Sequence, residues 1–322
     1  MSAEERTMEA LRRIGIVGNL EVDLVLGPLG RLPDWGEERV VTYREVRAAG
    51  SAGYTALALG HLGHRPLLLG PVGDDPEGQT IRRALTESGL SQRGLVRTPE
   101  STGLSVTLIR EDGERCFVNH LGGLVNYGWS QLERFLPELF TLDLVLLSGY
   151  FLLPALRGEP TARLFTLLRE HGVQTALDVG DAVEGWTDEA RTELRPILEV
   201  TDWFFPNRNE LVALSGIQEI DGACSALLAS GVGEVVVKLG PEGALAVGWS
   251  GSAQVPAFPV TVVDTVGAGD SFNAGFLAGW AEGLALEDCL RLASAVAAAF
   301  ISTPNRSFPT RDQVRQLLQA HI

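Results

Sequence analysis

VVDTVGAGDSFNAGFLAGWAEG, residues 262–283, is the stretch from which the rest of the chain is read. Its pattern predicts a short strand ending at Asp264, a glycine-rich turn through Gly267, Ala268 and Gly269, and a helix starting near Asp270. Phe272, Phe276, Leu277, Ala278 and Trp280 suit one continuous buried helix. Successive N–H groups at a helix start form an anion-binding hollow, and glycine lets a phosphate approach closely. An aspartate in that turn puts negative charge where an anion is to bind. The arrangement makes chemical sense if the Asp270 carboxylate takes a proton from a hydroxyl that then attacks a phosphoryl group held by the amides. A lone aspartate there would be read as a helix cap; the surrounding string argues otherwise.

Outward from this segment, short apolar runs end in Gly, Asn or Asp and precede helix-like stretches. IGIVGN (14–19), LLLGPVGDD (67–75), DLVLLSG (143–149), TALDVG (175–180), WFFPN (203–207) and EVVVKLG (234–240) follow this rule. Continuous hydrophobicity is expected of strands covered on both faces. Helices are predicted between them at 55–62, 77–88, 161–171 and 220–229. The alternation implies an α/β fold with a mostly parallel sheet, whose ligands sit beyond the carboxyl ends of the strands. Residues 21–48 and 101–121 alternate polar and apolar instead, and EDGE (111–114) marks a hairpin tip. We expect one domain over residues 1–322 with these two segments as a small antiparallel lid sheet.

The string DTVGAGDSFNAGF (264–276) closely resembles the C-terminal signature of the PfkB, or ribokinase-like, carbohydrate kinases. Other segments are similar to that family in the same order. These are VGNLEVD (17–23), AGSAGYTALALGHLG (49–63), GPVGDDPEG (70–78), FPNRNE (205–210) and KLGPEGAL (238–245), so the resemblance covers about residues 14–318. It implies a three-layer α/β/α sandwich with a β lid, and ATP-dependent phosphoryl transfer to a hydroxyl of a sugar or polyol. It implies Asp270 as general base with Gly267, Ala268 and Gly269 as anion hole. Asp23, Gly50, Ser51 and Tyr54 would then contact substrate. Asn207, Lys238, Gly240, Gly243 and Thr265 would contact nucleotide, and Asn207 with Glu210 would position Mg²⁺ through water. Asn207 and Glu210 also read as a helix-start capping box, and the two roles are compatible. Lys238, the chain's single lysine, stands at a strand end where a phosphate contact and a purely structural place are both open.

Two departures stand out. The family's usual hydroxyl-reading asparagine is replaced by Tyr54, so we expect that residue to alter substrate choice. Asn305 or Arg306 stands where relatives often carry glycine near a monovalent-cation site beside Asp264, which argues against dependence on K⁺. A nucleoside kinase of the same family and a non-catalytic sugar-binding regulator are the alternative readings; a regulator would be free to lose Asp270, Asn207 or Glu210, and all three are present. A dinucleotide-binding dehydrogenase is excluded because Gly18 is followed by Asn19-Leu20-Glu21, and no P-loop lysine string exists. The substrate stays open among fructose, ribose, 2-keto-3-deoxygluconate, inositol and nucleosides.

The bulk properties agree. The chain has 322 residues, 45% hydrophobic, enough for a large core. Its net charge of -15 repels nucleic acid and anionic lipid, so neither is an expected partner. Cys116, Cys224 and Cys289 lack zinc or disulfide spacing and are read as reduced thiols. No apolar run precedes the first strand, and the longest, 145–156, is broken by Gly149 and Pro154 and falls short of the about 20 residues a bilayer requires. A cytoplasmic protein is expected; its oligomeric state stays open, with an exposed lid sheet as a surface on which a homodimer could form.

Overall fold

The computed structural model describes residues 11–303 and 307–321. In chain order the elements are β1 (Ile14–Gly18), β2 (Glu21–Leu29), β3 (Tyr43–Ala49), α1 (Ser51–His61), β4 (Leu67–Val72), α2 (Pro76–Glu87), β5 (Leu95–Arg97), β6 (Gly103–Arg110) and β7 (Arg115–His120). There follow α3 (Trp129–Leu132), α4 (Leu136–Leu139), β8 (Leu144–Ser148), α5 (Glu159–Glu170), β9 (Gln174–Asp178), α6 (Asp188–Leu198), β10 (Trp203–Phe204), α7 (Arg208–Ser215) and α8 (Ile220–Ala229). The chain closes with β11 (Glu234–Lys238), β12 (Ala244–Gly248), β13 (Gly251–Val255), α9 (Ala268–Ala281), α10 (Leu286–Ile301) and α11 (Arg311–Gln319).

Among the described residues one sheet of nine strands runs β13-β12-β11-β10-β9-β8-β1-β4-β5. It is parallel from β5 to β11 and antiparallel at β12 and β13. Strand residues alternate between two cores, which is why the runs are apolar throughout. Ile14, Ile16, Leu144, Leu146 and Val236 face α1, α9 and α10, whereas Val17, Val145, Leu147, Val235 and Val237 face the opposite helices. Cys224 and Cys289 are buried free thiols, and Cys116 is partly exposed. Among the described residues no single helix is long and apolar enough to cross a membrane.

The second sheet, β3-β2-β6-β7, holds the two alternating segments. It is not wholly antiparallel as expected, because β2 and β6 pair in parallel, Asp23 opposite Ser105. The intervening chain builds α1, β4, α2 and β5 of the main body, so β6 re-enters the small sheet from the same end as β2. The hairpin prediction holds: β6 and β7 are antiparallel, and Gly113 at φ 89° turns the tip. Asp75 ties this sheet to the body, accepting from Gly78 N at 2.7 Å as cap of α2 and from Thr102 N at 2.6 Å just before β6.

A second correction concerns the residues before the glycine turn. No strand ends at Asp264; the chain after Val255 is irregular until α9. Pro256 and Pro259 remove two backbone donors that another sheet strand would need. The helix α9 lies close against α10, and a Cβ added at Gly275 would stand 2.7 Å from the Ala293 Cα. Gly275→Val should therefore lower the unfolding free energy by about 1–3 kcal/mol through overpacking, read as a lower urea midpoint at unchanged slope. An unmoved midpoint would mean that the two helices do not meet at this glycine.

Candidate active site

Strands β1, β8, β9, β10 and β11 are parallel, so their carboxyl ends share one edge of the sheet. At that edge β11 ends in Lys238 and β9 ends in Asp178. The Lys238 Nζ donates to Asp178 Oδ2 at 3.0 Å, and the Asn273 amide of α9 donates to the same oxygen. Gly180 N holds the other Asp178 oxygen at 3.2 Å. Asp270, in the first turn of α9, and Glu210, in the first turn of α7, complete a cluster of one cation and three carboxylates.

The charges set one another. Burial works against the Lys238 ammonium, but Asp178, Glu210 and Asp270 outweigh it and hold its pKa above the ordinary lysine value. Loss of water pushes Asp270 well above the usual carboxylate range; Asp178, Asp23 and Glu210 add to this, and Lys238 opposes it. Glu210 is pushed up to about 7, first by burial, with Lys238 pulling it back. Both Glu210 oxygens serve a capping box, accepting from Asn207 N at 2.9 Å and Asn207 Nδ2 at 2.7 Å, while Asn207 Oδ1 accepts from Glu210 N at 2.9 Å.

The glycine turn wraps over the lysine. Gly267 sits at φ 82°, which L side chains rarely adopt, and starts α9. A Cβ added at Gly269 would lie 3.5 Å from Lys238 Nζ, so the ammonium lies beside the expected anion hole. Of the three residues expected to build that hole, Ala268 has its N–H turned to Thr265 O at 3.1 Å, inside the turn. Lys238, Gly240, Gly243, Thr265, Ala268 and Gly269 line one cavity of about 580 Å³, walled on its far side by Phe258, Val260 and Ile301. Gly243, at φ 95°, is required there because a Cβ would meet Val255 O at 2.0 Å.

Across the turn lies the small sheet. Asp23 is buried on β2, and its Oδ2 accepts from the Tyr54 hydroxyl at 2.8 Å. Tyr54 is only 4% exposed, with its ring edge-on to Phe300 and Phe308 and against Gly267. Its ring backs the glycine turn, and its hydroxyl reaches toward Asp23. Gly50, at φ 87°, and Ser51 begin α1, and Ser51 N donates to Asn19 Oδ1 at 3.0 Å. From β7, Arg115 reaches the glycine turn, with Nη2 2.5 Å from Asp264 Oδ1 and Nη1 donating to Thr265 Oγ1 at 2.8 Å. Asn305 and Arg306 lie outside the described residues.

Sequence reasoning missed Asp178, Asn273, Arg47 and Arg115. Asp178 carried a legible signal, since it ends the apolar run TALDVG as Asp23 follows the first one. Asn273 lay inside the quoted signature and was passed over between apolar neighbours. The two arginines had no local signal, because their partners lie on other strands or on a distant loop.

The whole chain can be compared with known proteins. The model of the pfkB family of carbohydrate kinases matches residues 12–313. A ribokinase of Arabidopsis thaliana is 30% identical over 323 residues, covering 95% of this chain and 81% of that protein. An ATP-dependent ribose-1-phosphate kinase of Halopiger xanaduensis is 31% identical over 309 residues, covering 95% and 98%. The solved structure of Arabidopsis thaliana ribokinase complexed with ribose and ATP superposes with a TM-score of 0.83 at 26% identity, covering 96% of this chain and 99% of that one. With its parallel sheet, its small second sheet and the glycine turn closing over Lys238, the chain belongs to the PfkB family of carbohydrate kinases.

Proposed function

We propose that this kinase moves the γ-phosphoryl group of ATP to a hydroxyl of a sugar or polyol, with Asp270 as the base. The observation that carries this reading is the placement of Asp270 in the first turn of α9, one residue beyond Gly269 of the cavity lining and near enough to Asp23 of the small sheet for the two charges to interact. The desolvated carboxyl, already reluctant to hold its charge, is suited to accept a proton as the hydroxyl attacks. The Gly267 and Gly269 amides and the Lys238 ammonium face the charge that develops on the transferred phosphoryl group. Asp23 orients the acceptor, with Gly50 and Ser51 beside it. A nucleoside acceptor would need a flat surface for its base, and the buried Tyr54 ring supplies none.

The residues suit hydrated Mg²⁺ rather than a caged ion. Among the described residues no group of three or more His, Cys, Asp or Glu side chains could hold a metal by itself. Glu210 is engaged with Asn207 through both oxygens and would reach the ion through water, while the nucleotide phosphates supply direct ligands. Bound there, Mg²⁺ would neutralise charge on the phosphates. The small sheet, with Arg115 anchored on Asp264 and Thr265, is the lid over the acceptor. Its outer face, with Val46 and Val118 exposed, is the face through which two subunits would pair.

Two measurements test this reading. Asp270→Asn should fold normally, bind ATP and lose about 10²–10⁴-fold in kcat. A folded variant retaining more than about a tenth of the wild-type rate would remove Asp270 as base. The second concerns monovalent cations. The Arg115 guanidinium already sits on the Asp264 carboxylate, so exchanging K⁺ for Na⁺ at constant ionic strength should leave kcat unchanged. A severalfold stimulation by K⁺ would show that Asp264 works with a bound cation instead.

A further inference from the structure

The inner face of the small sheet carries more polar capacity than the fold uses. Arg47, Asp23, Ser105 and Asn119 stand in register across its four strands. Arg47 is largely buried, its side chain 12% exposed, and its Nε, Nη1 and Nη2 atoms are all buried without a hydrogen-bond partner. The nearest acceptors are too far or poorly aligned: Asp23 Oδ2 lies at 3.5 Å and already receives the Tyr54 hydroxyl, and Glu45 Oε2 lies at 3.9 Å. The guanidinium rests over the Tyr54 ring, 5.5 Å from its centre. Close by on the same face, Arg115 leaves its Nε buried without a partner, and so does Thr107 with its Oγ1.

Buried donors without acceptors are rare in folded proteins and mark places where something else supplies the acceptor. Here the two arginines are also near neighbours, since Arg115 is held below the ordinary arginine value first by burial and then by the charge of Arg47. A neutral sugar hydroxyl would meet one of the three unpartnered Arg47 donors and leave the others unmet. A carboxylate or phosphate would satisfy several guanidinium donors at once, in the forked geometry that arginine presents.

We propose that the acceptor substrate carries an anionic group, a carboxylate or a phosphate, which Arg47 binds while a hydroxyl of the same molecule faces Asp270. Arg115, committed to Asp264 and Thr265, stands at the border between this group and the phosphoryl group of ATP. The proposal rests on the kinase reading above. It assigns Arg47 as the residue that separates charged acceptors from neutral ones.

The test uses the full chain with Mg·ATP and three sets of acceptors. Ribose, fructose and inositol are neutral; gluconate and 2-keto-3-deoxygluconate are carboxylates; ribose 1-phosphate and fructose 6-phosphate are phosphates. ADP release and calorimetric binding are measured for each, on wild type, Arg47→Gln and Arg47→Lys, with folding checked by thermal unfolding. The best anionic acceptor should exceed the best neutral one by on the order of 10²-fold or more in kcat/KM, and which charged set contains it tells carboxylate from phosphate. Arg47→Gln should remove that advantage mainly through acceptor KM and leave KM for ATP within about threefold, with Arg47→Lys restoring part of it. Turnover confined to neutral acceptors, or an Arg47→Gln effect confined to KM for ATP, would overturn the proposal and leave the kinase reading intact. Arg47-dependent binding of an anion without any turnover would do the reverse.

Discussion

One buried ammonium group organises the site. Lys238 ends a central strand with its charge among Asp178, Glu210 and Asp270, each delivered by a different element. Removing a cation from water is costly and is sustained only by close carboxylates. The three carboxylates repel one another and tolerate this spacing only around a positive centre. Asn273, buried within α9, fastens that helix to Asp178, so the helix bearing Asp270 is bonded to the sheet at the point where the charge balance is set. The balance is tuned rather than neutral: Lys238 stays charged, Glu210 is brought to about 7, and Asp270 is left as a carboxyl that gains readily from a proton.

The second sheet extends this logic across the cleft. Arg115 pairs with Asp264 at the start of the glycine turn, so the small sheet and that turn are mechanically joined. Tyr54 joins them again from below, with its ring against Gly267 and its hydroxyl on Asp23. A movement of either sheet would be felt at the turn that carries Asp270.

Much of this was legible in the chain itself. The apolar runs announced a sheet covered on both faces, and the turn after residue 264 announced the helix start that carries Asp270. Asn207 and Glu210 were readable as a capping box, and the box forms. What stayed hidden depends on contacts distant in sequence. Arg115 and Thr265 are 150 residues apart, and no local pattern tells that a hairpin arginine will cross to a glycine turn. The packing of Tyr54 was hidden, since its neighbours in space, Phe300 and Phe308, belong to the far end of the chain and form a small core with it. The strand expected before Asp264 failed because local apolar character cannot report that the sheet has already ended at β13, while Val260 and Val262 are used to wall a cavity.

The pH dependence of kcat/KM in wild type and in Lys238→Met tests the central claim most directly. The acidic limb of that profile reports the base in the free enzyme; with Asp270 as the base we propose, rate is lost as it takes up its proton. Lys238 is the charge that holds the Asp270 proton affinity down, so its removal should move the acidic limb to higher pH. A lower plateau with the limb at its wild-type position would contradict the account, because Lys238 would then serve the site without governing the charge of its base.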